Sequence, residues 1–305
     1  MEAYPRTLVE FEEQFGTEEA CRLYLEQLRW PDGFRCPRCG GTEAWRMTRG
    51  LWLCRHCRRQ TSVTVGTIFD RSRLPLSLWF RAMWYVTAQK NGASALTIQR
   101  LLGLGSYPTA WAWLHKLRRA MVRPGRDRLE GVVEADESYL GGRKSGQPGR
   151  GARGKALVLL AVQLLPGHEI GRIRLAQVSD VSGSSLLGAL ETMVTPGSEV
   201  KTDGGSGDND LESKGYRHTV VRRSGAVGQD LLPACHRVAS LLKRWLLGTH
   251  QGAVCHKHLA YYLDEFTFRF NRRTSASRGK LFYRLAQQAV HVEPAPYAKL
   301  IGPHW

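Results

Sequence analysis

Nowhere in the 305 residues is there an apolar run long enough to cross a bilayer. The longest, Ala156 to Pro166, is interrupted by Gln163 and falls short of the roughly 18 to 20 residues that a span requires. The N-terminus, MEAYPRTLVEFEEQFG, has no basic segment leading into an apolar one, so it does not read as a secretion signal. A cytoplasmic, reducing setting is expected. Acidic charge is also scarce: 27 Asp plus Glu stand against 44 Lys plus Arg, a formal net charge of +17. Such an excess favours a polyanion, because each cation placed at a phosphate releases condensed counterions. No basic amphipathic helix stands out to favour an anionic membrane, so nucleic acid is the expected partner. With 42% hydrophobic and 23% charged residues, a disordered chain is excluded. The length suggests about two domains.

Internal repeats are missing as well, and the chain changes character along its length. In residues 1–30, Thr17 before Glu18 and Glu19 reads as an N-cap, and apolar Ala20, Leu23, Tyr24 and Leu28 predict a helix over about 18 to 29. Residues 31–66 are dense in Gly, Pro, Cys and Arg without helical periodicity. Residues 67–126 turn helical: Leu76 to Gln89, Ala93 to Leu102, and Pro108 to Val122 after a Gly103-Leu104-Gly105 turn. The last two carry the signature of a helix-turn-helix. Residues 127–295 mix strands (Val132 to Asp136, Ala156 to Leu164, Arg172 to Val178, Glu199 to Asp203, His218 to Val221) with helices (Ser182 to Met193, 233 to 247, 256 to 270). That alternation predicts an α/β domain, with residues 296–305 as a tail.

Of seven cysteines, four are organised. Cys36-Pro37-Arg38-Cys39 and Cys54-Arg55-His56-Cys57 are two knuckles separated by 14 residues. Each tight turn presents two thiolates, and two turns complete a tetrahedral zinc site. Bound metal supplies the folding energy that so short a segment lacks in core. His56 is an alternative ligand, although four cysteines already fill the sphere. Cys21, Cys235 and Cys255 have no partner spacing and read as packed thiols. Arg35, Arg38, Arg46, Arg49, Arg55, Arg58 and Arg59 surround the knuckles, with Trp45 and Trp52 between them. This mixture suits phosphate contact and stacking, or is a solvated charged face. His115, Lys116, Arg118 and Arg119 add charge to the third helix, where Trp111 and Trp113 read as packing.

Two aspartates end predicted strands: Asp136 in VVEAD and Asp203 in EVKTD. Hard divalent cations prefer carboxylate oxygens, and strand ends hold them still. An Asp at such a place is also an ordinary turn residue, so the pattern alone leaves catalysis open.

The motifs CPRCG, CRHCRRQTSVTVGTIFDRSRLPL, VEADESYLGGRK, VKTDGG, LLKRWLLGTHQGAV and HLAYYLDEFTFRFNRR, in this order over roughly residues 15 to 290, resemble the zinc-ribbon insertion-sequence transposases of bacteria. Those belong to the DDE superfamily, so the resemblance implies an RNase H-like catalytic fold, a mixed sheet flanked by helices, behind a zinc ribbon and a helix-turn-helix. It implies that Asp136 and Asp203 are the first two catalytic acids and hold Mg2+ or Mn2+. The third position, commonly Glu with a Lys or Arg seven residues on, is filled here by His236, with Lys243 following on the same helical face. A neutral imidazole is softer than a carboxylate. Either His236 ligates metal, or it shuttles protons, or it is packed and an acid such as Glu137 or Asp208 contributes.

The implied chemistry is two-metal, in-line phosphoryl transfer on double-stranded DNA, cutting at the element's end and then joining its 3′-hydroxyl to target DNA. Pairing two ends implies a homodimer or larger synaptic assembly, with no membrane partner. Two other readings compete: a zinc-ribbon DNA-binding protein with a dead catalytic domain, and an RNase H-like nuclease without strand transfer. Arg269, Arg272 and Arg273 are expected to contact phosphate. The segment Gly141 to Gly154 is expected to be either a loop that orders on DNA or an inert hairpin tip.

Overall fold

A computed structural model describes residues 4–123, 125–141, 155–205, 210–222 and 230–302. Asp208 and most of the Gly141 to Gly154 segment fall outside these residues. The chain forms two compact units, one of residues 1–123 with 275–305 and one of residues 124–274.

In the first unit, α1 (Leu8–Gln14) and α2 (Glu18–Arg29) precede three short strands, β1 (Ala44–Arg46), β2 (Trp52–Cys54) and β3 (Gln60–Thr61). The Thr17 hydroxyl accepts the Ala20 amide and caps α2 as its sequence predicts. Helices α3 (Leu76–Ala88), α4 (Ala95–Leu102) and α5 (Tyr107–Ala120) follow, and α9 (Arg278–Ala289) and α10 (Tyr297–Ile301) complete the unit. Its core is aromatic: Phe11 lies against Phe282 and Trp84 with ring centroids 5.4 and 4.8 Å apart, and Phe15 against Phe80 at 4.8 Å. Residues 275–295, expected within the catalytic domain, therefore belong with the first unit, because α9 supplies Phe282 to this cluster. The expected tail also has a place, since Leu300 is buried with Ala112 and Ala295. One capping device recurs later: α3 has no side-chain N-cap of its own, and Glu18 of α2 accepts the Leu76 and Ser77 amides instead.

The second unit is built on β4 (Val132–Leu140), β5 (Ala156–Leu165), β6 (Glu169–Val178), β7 (Glu199–Thr202) and β8 (Arg217–Val220), with helices α6 (Gly183–Met193), α7 (Pro233–His250) and α8 (Leu259–Phe270). The sheet order is β6-β5-β4-β7-β8. Strands β4, β5 and β6 run antiparallel to one another in turn, whereas β7 is parallel to both β4 and β8. Alternation sends Val133, Ala135, Leu159, Ala161 and Val200 to a core with Leu186, Leu190 and Met193 of α6. The opposite face packs Val158, Leu160, Val162, Ile173 and Leu175 on Val238, Leu242, Leu263 and Phe266 of α7 and α8. Helices thus cover both faces of a mixed sheet.

The edge strand β6 is closed by the segment after α8. Asn271 Oδ1 accepts the Ile173 amide at 2.7 Å while its Nδ2 donates to the Ile173 carbonyl at 3.0 Å, so one side chain stands in for a neighbouring strand. The Arg273 guanidinium donates to the Gly171 and Ile170 carbonyls and lies over the Phe270 ring. Arg272 lies over Phe268, and Arg269 pairs with the buried Glu265 at 2.9 Å. Each of these three arginines, expected to contact phosphate, thus also has a partner within the domain.

Candidate metal centres and active site

Cys36, Cys39, Cys54 and Cys57 bring their sulfurs within 4.8 Å of one another. The Cys36–Cys57 and Cys39–Cys54 pairs are each 3.6 Å apart. A tetrahedral zinc with sulfur at about 2.3 Å sets its ligands about 3.8 Å apart, so the quartet fits. The two knuckles have matching backbones. In each, the residue after the second cysteine takes positive φ, Gly40 at 74° without strain and Arg58 at 57° against side-chain sterics. That residue's amide turns back to the knuckle's first cysteine, Gly40 to the Cys36 carbonyl at 2.9 Å and Arg58 to the Cys54 carbonyl at 3.0 Å. His56 is exposed and outside the quartet. The cluster around Cys36 and Cys54 is small, Phe34 with the partly buried Trp30, Ala44, Trp52 and Cys57 packed against it, which fits a structural metal.

On the ribbon surface Trp45 is 47% exposed, with the guanidinium carbons of Arg55 and Arg58 at 5.2 and 5.3 Å from its ring centroid. Several neighbouring charges are matched, since Arg46 pairs with Glu19 at 3.1 Å and Arg55 with Glu43 at 3.0 Å. Helices α4 and α5 are joined as expected through Gly103, whose φ of 62° ends α4. The basic residues of α5 are divided between core and surface, with Lys116 and Arg119 half-buried. His115 and Arg118 are fully buried, Trp113 stacks on Trp79 at 3.9 Å, and α5 packs against α4, α9 and α10.

In the second centre Asp203 follows the last residue of β7, whereas Asp136, expected to end its strand, stands in the middle of β4, which runs on to Leu140 along β5. Val132, Val133 and Glu134 pair with Glu199, Val200 and Lys201. Carried two residues on, this register sets Asp136 beside Asp203, with both side chains on the face that Glu134 and Lys201 share. Asp136, Glu137, Thr202 and Asp203 line one cleft together with Leu186, Leu190 and Leu211. Burial raises the Asp136 carboxyl above its ordinary range, and Asp203 adds to this, while the Glu137 amide, His236 and Lys243 pull it back. The Asp203 turn is fixed by its neighbour: Thr202 Oγ1 bonds His218 at 2.9 Å and accepts the Gly204 amide at 3.1 Å.

Helix α7 brings the third group. His236 Nε2 is 3.4 Å from Asp136 Oδ2, and its Nδ1 is 2.5 Å from Asp230 Oδ1. With Nδ1 donating to Asp230, a neutral imidazole turns its Nε2 lone pair toward Asp136. His236 is 54% exposed and not packed into the core. Lys243 is exposed on the same face of α7, with Ser240 between them and Leu247 beyond. Glu137 hydrogen-bonds Asp136 through its amide. Among the described residues the cysteine quartet is the one set of three or more ligand atoms so closely gathered; the aspartates and His236 stand farther apart around their cleft.

Asp230 and Glu134 had not been singled out in the sequence. Glu134 is buried and accepts the Cys235 amide at 3.0 Å. A signal for it exists in VVEAD, where Glu134 shares the face of Asp136 in an otherwise apolar strand.

Residues 128–271 match the family model for the ISXO2-like transposase domain, and residues 16–60 that for the transposase zinc-ribbon domain. The chain is also 29% identical over 274 residues to an uncharacterized protein in transposable element ISH50 of Halobacterium salinarum, covering 84% of this chain and 91% of that protein. Among the described residues no helix is long and apolar enough to cross a membrane.

Proposed function

The chain belongs to the insertion-sequence transposases that carry a zinc ribbon, and from that premise we propose that it binds the ends of its element and performs metal-dependent cleavage and 3′-hydroxyl strand transfer at Asp136, Asp203 and His236. The observation that carries this reading is the register of β4 and β7, which sets two carboxylates side by side, one within β4 and one at the carboxyl end of β7, with an imidazole 3.4 Å from one of them. The strand order β6-β5-β4-β7-β8 supports the RNase H-like assignment.

Carboxylate oxygens suit Mg2+ or Mn2+, and Asp136, Asp203 and Nε2 of His236 are the residues that would hold such ions. Bound there, divalent ions supply Lewis-acid stabilisation of the attacking and leaving oxygens of an in-line displacement. The remaining work falls to the chain itself. Asp230 holds the His236 imidazole in one tautomer and orientation, as carboxylates do for metal-bound histidines. Lys243, seven residues on and exposed, is placed to hold a phosphate of the terminal DNA. The Asp136 side chain is 17% exposed, and Leu186, Leu190 and Leu211 line the cleft beside it. On the ribbon, Trp45 between Arg55 and Arg58 supports a stacking and phosphate contact. Two copies of the chain would pair two ends.

The deciding experiment is a strand-transfer assay on a plasmid carrying the cognate terminal repeats with Mg2+. Joined products are expected, and Asp136→Ala or Asp203→Ala abolishes them while DNA binding survives. Joining by either variant overturns the site assignment. Cutting alone indicates a nuclease, and binding alone a DNA-binding protein.

A further inference from the structure

The first turn of α7 poses an accounting problem. A helix start leaves unsatisfied amides, and the N-cap residue here is Leu232, which has no side chain to accept them. Pro233 at the first helical position has no N–H, and the His236 amide is taken by the Leu232 carbonyl at 3.0 Å. Ala234 and Cys235 remain, both buried. The Glu134 carboxylate, 5% exposed, bonds both of these amides, with Oε2 accepting Cys235 at 3.0 Å. A buried carboxylate left unpaired would be costly, so the clamp is strongly specified from both sides. The first unit shows the same device where Glu18 caps α3.

This clamp connects two candidate ligands. Asp136 lies two residues after Glu134 on the same face of β4, and His236 is the residue next to Cys235. We infer that Glu134 is a positioning residue: by docking the first turn of α7 on β4, it sets His236 opposite Asp136 at the separation observed. The inference rests on the proposed reading that these two residues share the active site. Glu134 itself is occupied by amides, so it acts through His236 and not as a ligand.

Two substitutions separate reach from charge. Glu134→Gln keeps an acceptor at the same length and loses the charge; Glu134→Asp keeps the charge and shortens the reach by one methylene. In the full-length protein, Mn2+ affinity is read by electron paramagnetic resonance, and the His236 ring nitrogens by NMR of 15N-histidine-labelled, metal-free protein. Hydrogen exchange reports the Ala234 and Cys235 amides. E134D is expected to weaken Mn2+ binding about 10- to 100-fold, the usual scale for lost outer-shell support. It also blurs the single-tautomer signature of His236 and speeds exchange at both amides. E134Q stays within about threefold of wild type in Mn2+ affinity, on the same outer-shell scale. The reverse order, a defective Gln variant and an intact Asp variant, overturns the inference, as does a pair indistinguishable from wild type. Asp136→Ala serves as the reference. If it leaves Mn2+ binding intact, the active-site reading fails; if it abolishes binding while E134D does not, only the positioning role fails.

Discussion

Replacing Asn271 by alanine tests whether the FNRR segment clamps the sheet edge. Ile173 is fully buried, and its outward N–H depends on this one side chain at 2.7 Å, while its C=O accepts from Asn271 Nδ2 at 3.0 Å and from Arg174 Nη1 at 3.1 Å. A buried backbone group stripped of its partner costs about 1 to 3 kcal/mol. Asn271→Ala strips the amide and leaves the carbonyl to Arg174, so the loss is about 1 to 3 kcal/mol, an appreciable part of a domain stability of about 5 to 15 kcal/mol. Asn271→Asp keeps the acceptor for the amide but sets a carboxylate against the Ile173 carbonyl, so it loses at least as much. Urea unfolding, followed at the second unit by 19F NMR of fluorotryptophan at Trp245, measures the midpoint shift at constant slope. Exchange of the β6 amides gives the local effect. Gln177→Ala, exposed on the same strand, is the control. If N271A unfolds with the control and Ile173 stays protected, the edge-clamp reasoning is wrong. A loss confined to DNA affinity would return these residues to the DNA surface.

Three further outcomes are expected. Cys54→Ser removes a buried sulfur of the quartet, so it should lose the zinc and unfold the ribbon while leaving the second unit's 19F signal in place; purified, reduced protein with well under one zinc per chain would remove the basis for this. Asp230→Ala frees His236 Nδ1 and should weaken Mn2+ binding about tenfold without changing the unfolding midpoint, whereas an unchanged affinity places Asp230 outside the site. Burial pushes the Asp264 carboxyl up to about 6 against the pull of Arg126. A group whose folded pKa is raised stabilises the protein below its unfolded value of about 3.9 and loses that contribution as pH climbs through the folded value. The second unit should therefore weaken between about pH 4 and pH 6, by at most about 3 kcal/mol given the 24% exposure of the side chain, and Asp264→Asn should flatten that slope. A wild-type pH profile that already matches the Asn variant would refute it.

Much of both units was legible because their signals are local. Alternation in VVEAD and RIRLAQV, the Thr17 cap and the knuckle spacing each fix an element by chemistry within a few residues. What could not be read is set by contacts distant in sequence. Residues 275–295 look continuous with the domain before them, and only the packing of Phe282 against Phe11, Phe15 and Phe80 assigns them to the first unit. Asp136, Asp203, His236 and Lys243 were found by motif, and register and helical spacing place them around one strand end. Glu134 escaped because it caps an amide 101 positions away, and Asp230 because it meets His236, six positions on, only through the turn that leads into α7.

The charge of +17 is the clearest case of a composition that misleads when spread evenly over the chain. A large share of the cations expected to meet DNA is spent on folding. Arg118 is buried, Arg174 is buried with its guanidinium on backbone carbonyls, Arg273 holds an edge strand, and Arg46 and Arg269 are paired with carboxylates. Exposed cations remain on the ribbon, among them Arg35, Arg38, Arg49, Arg55, Arg58 and Arg59, and on α7. On α7, Arg237, Lys243 and Arg244 share the solvent side with His236, immediately beyond the paired aspartates. A cation acts on DNA only where it can reach phosphate, so on the proposed reading this helix face is expected to contact the end DNA beside the aspartates. Lys243→Ala should accordingly lower affinity for end DNA and reduce the slope of log affinity against log salt by about one, with no change in the unfolding midpoint. An unaltered salt slope would place the DNA on another surface.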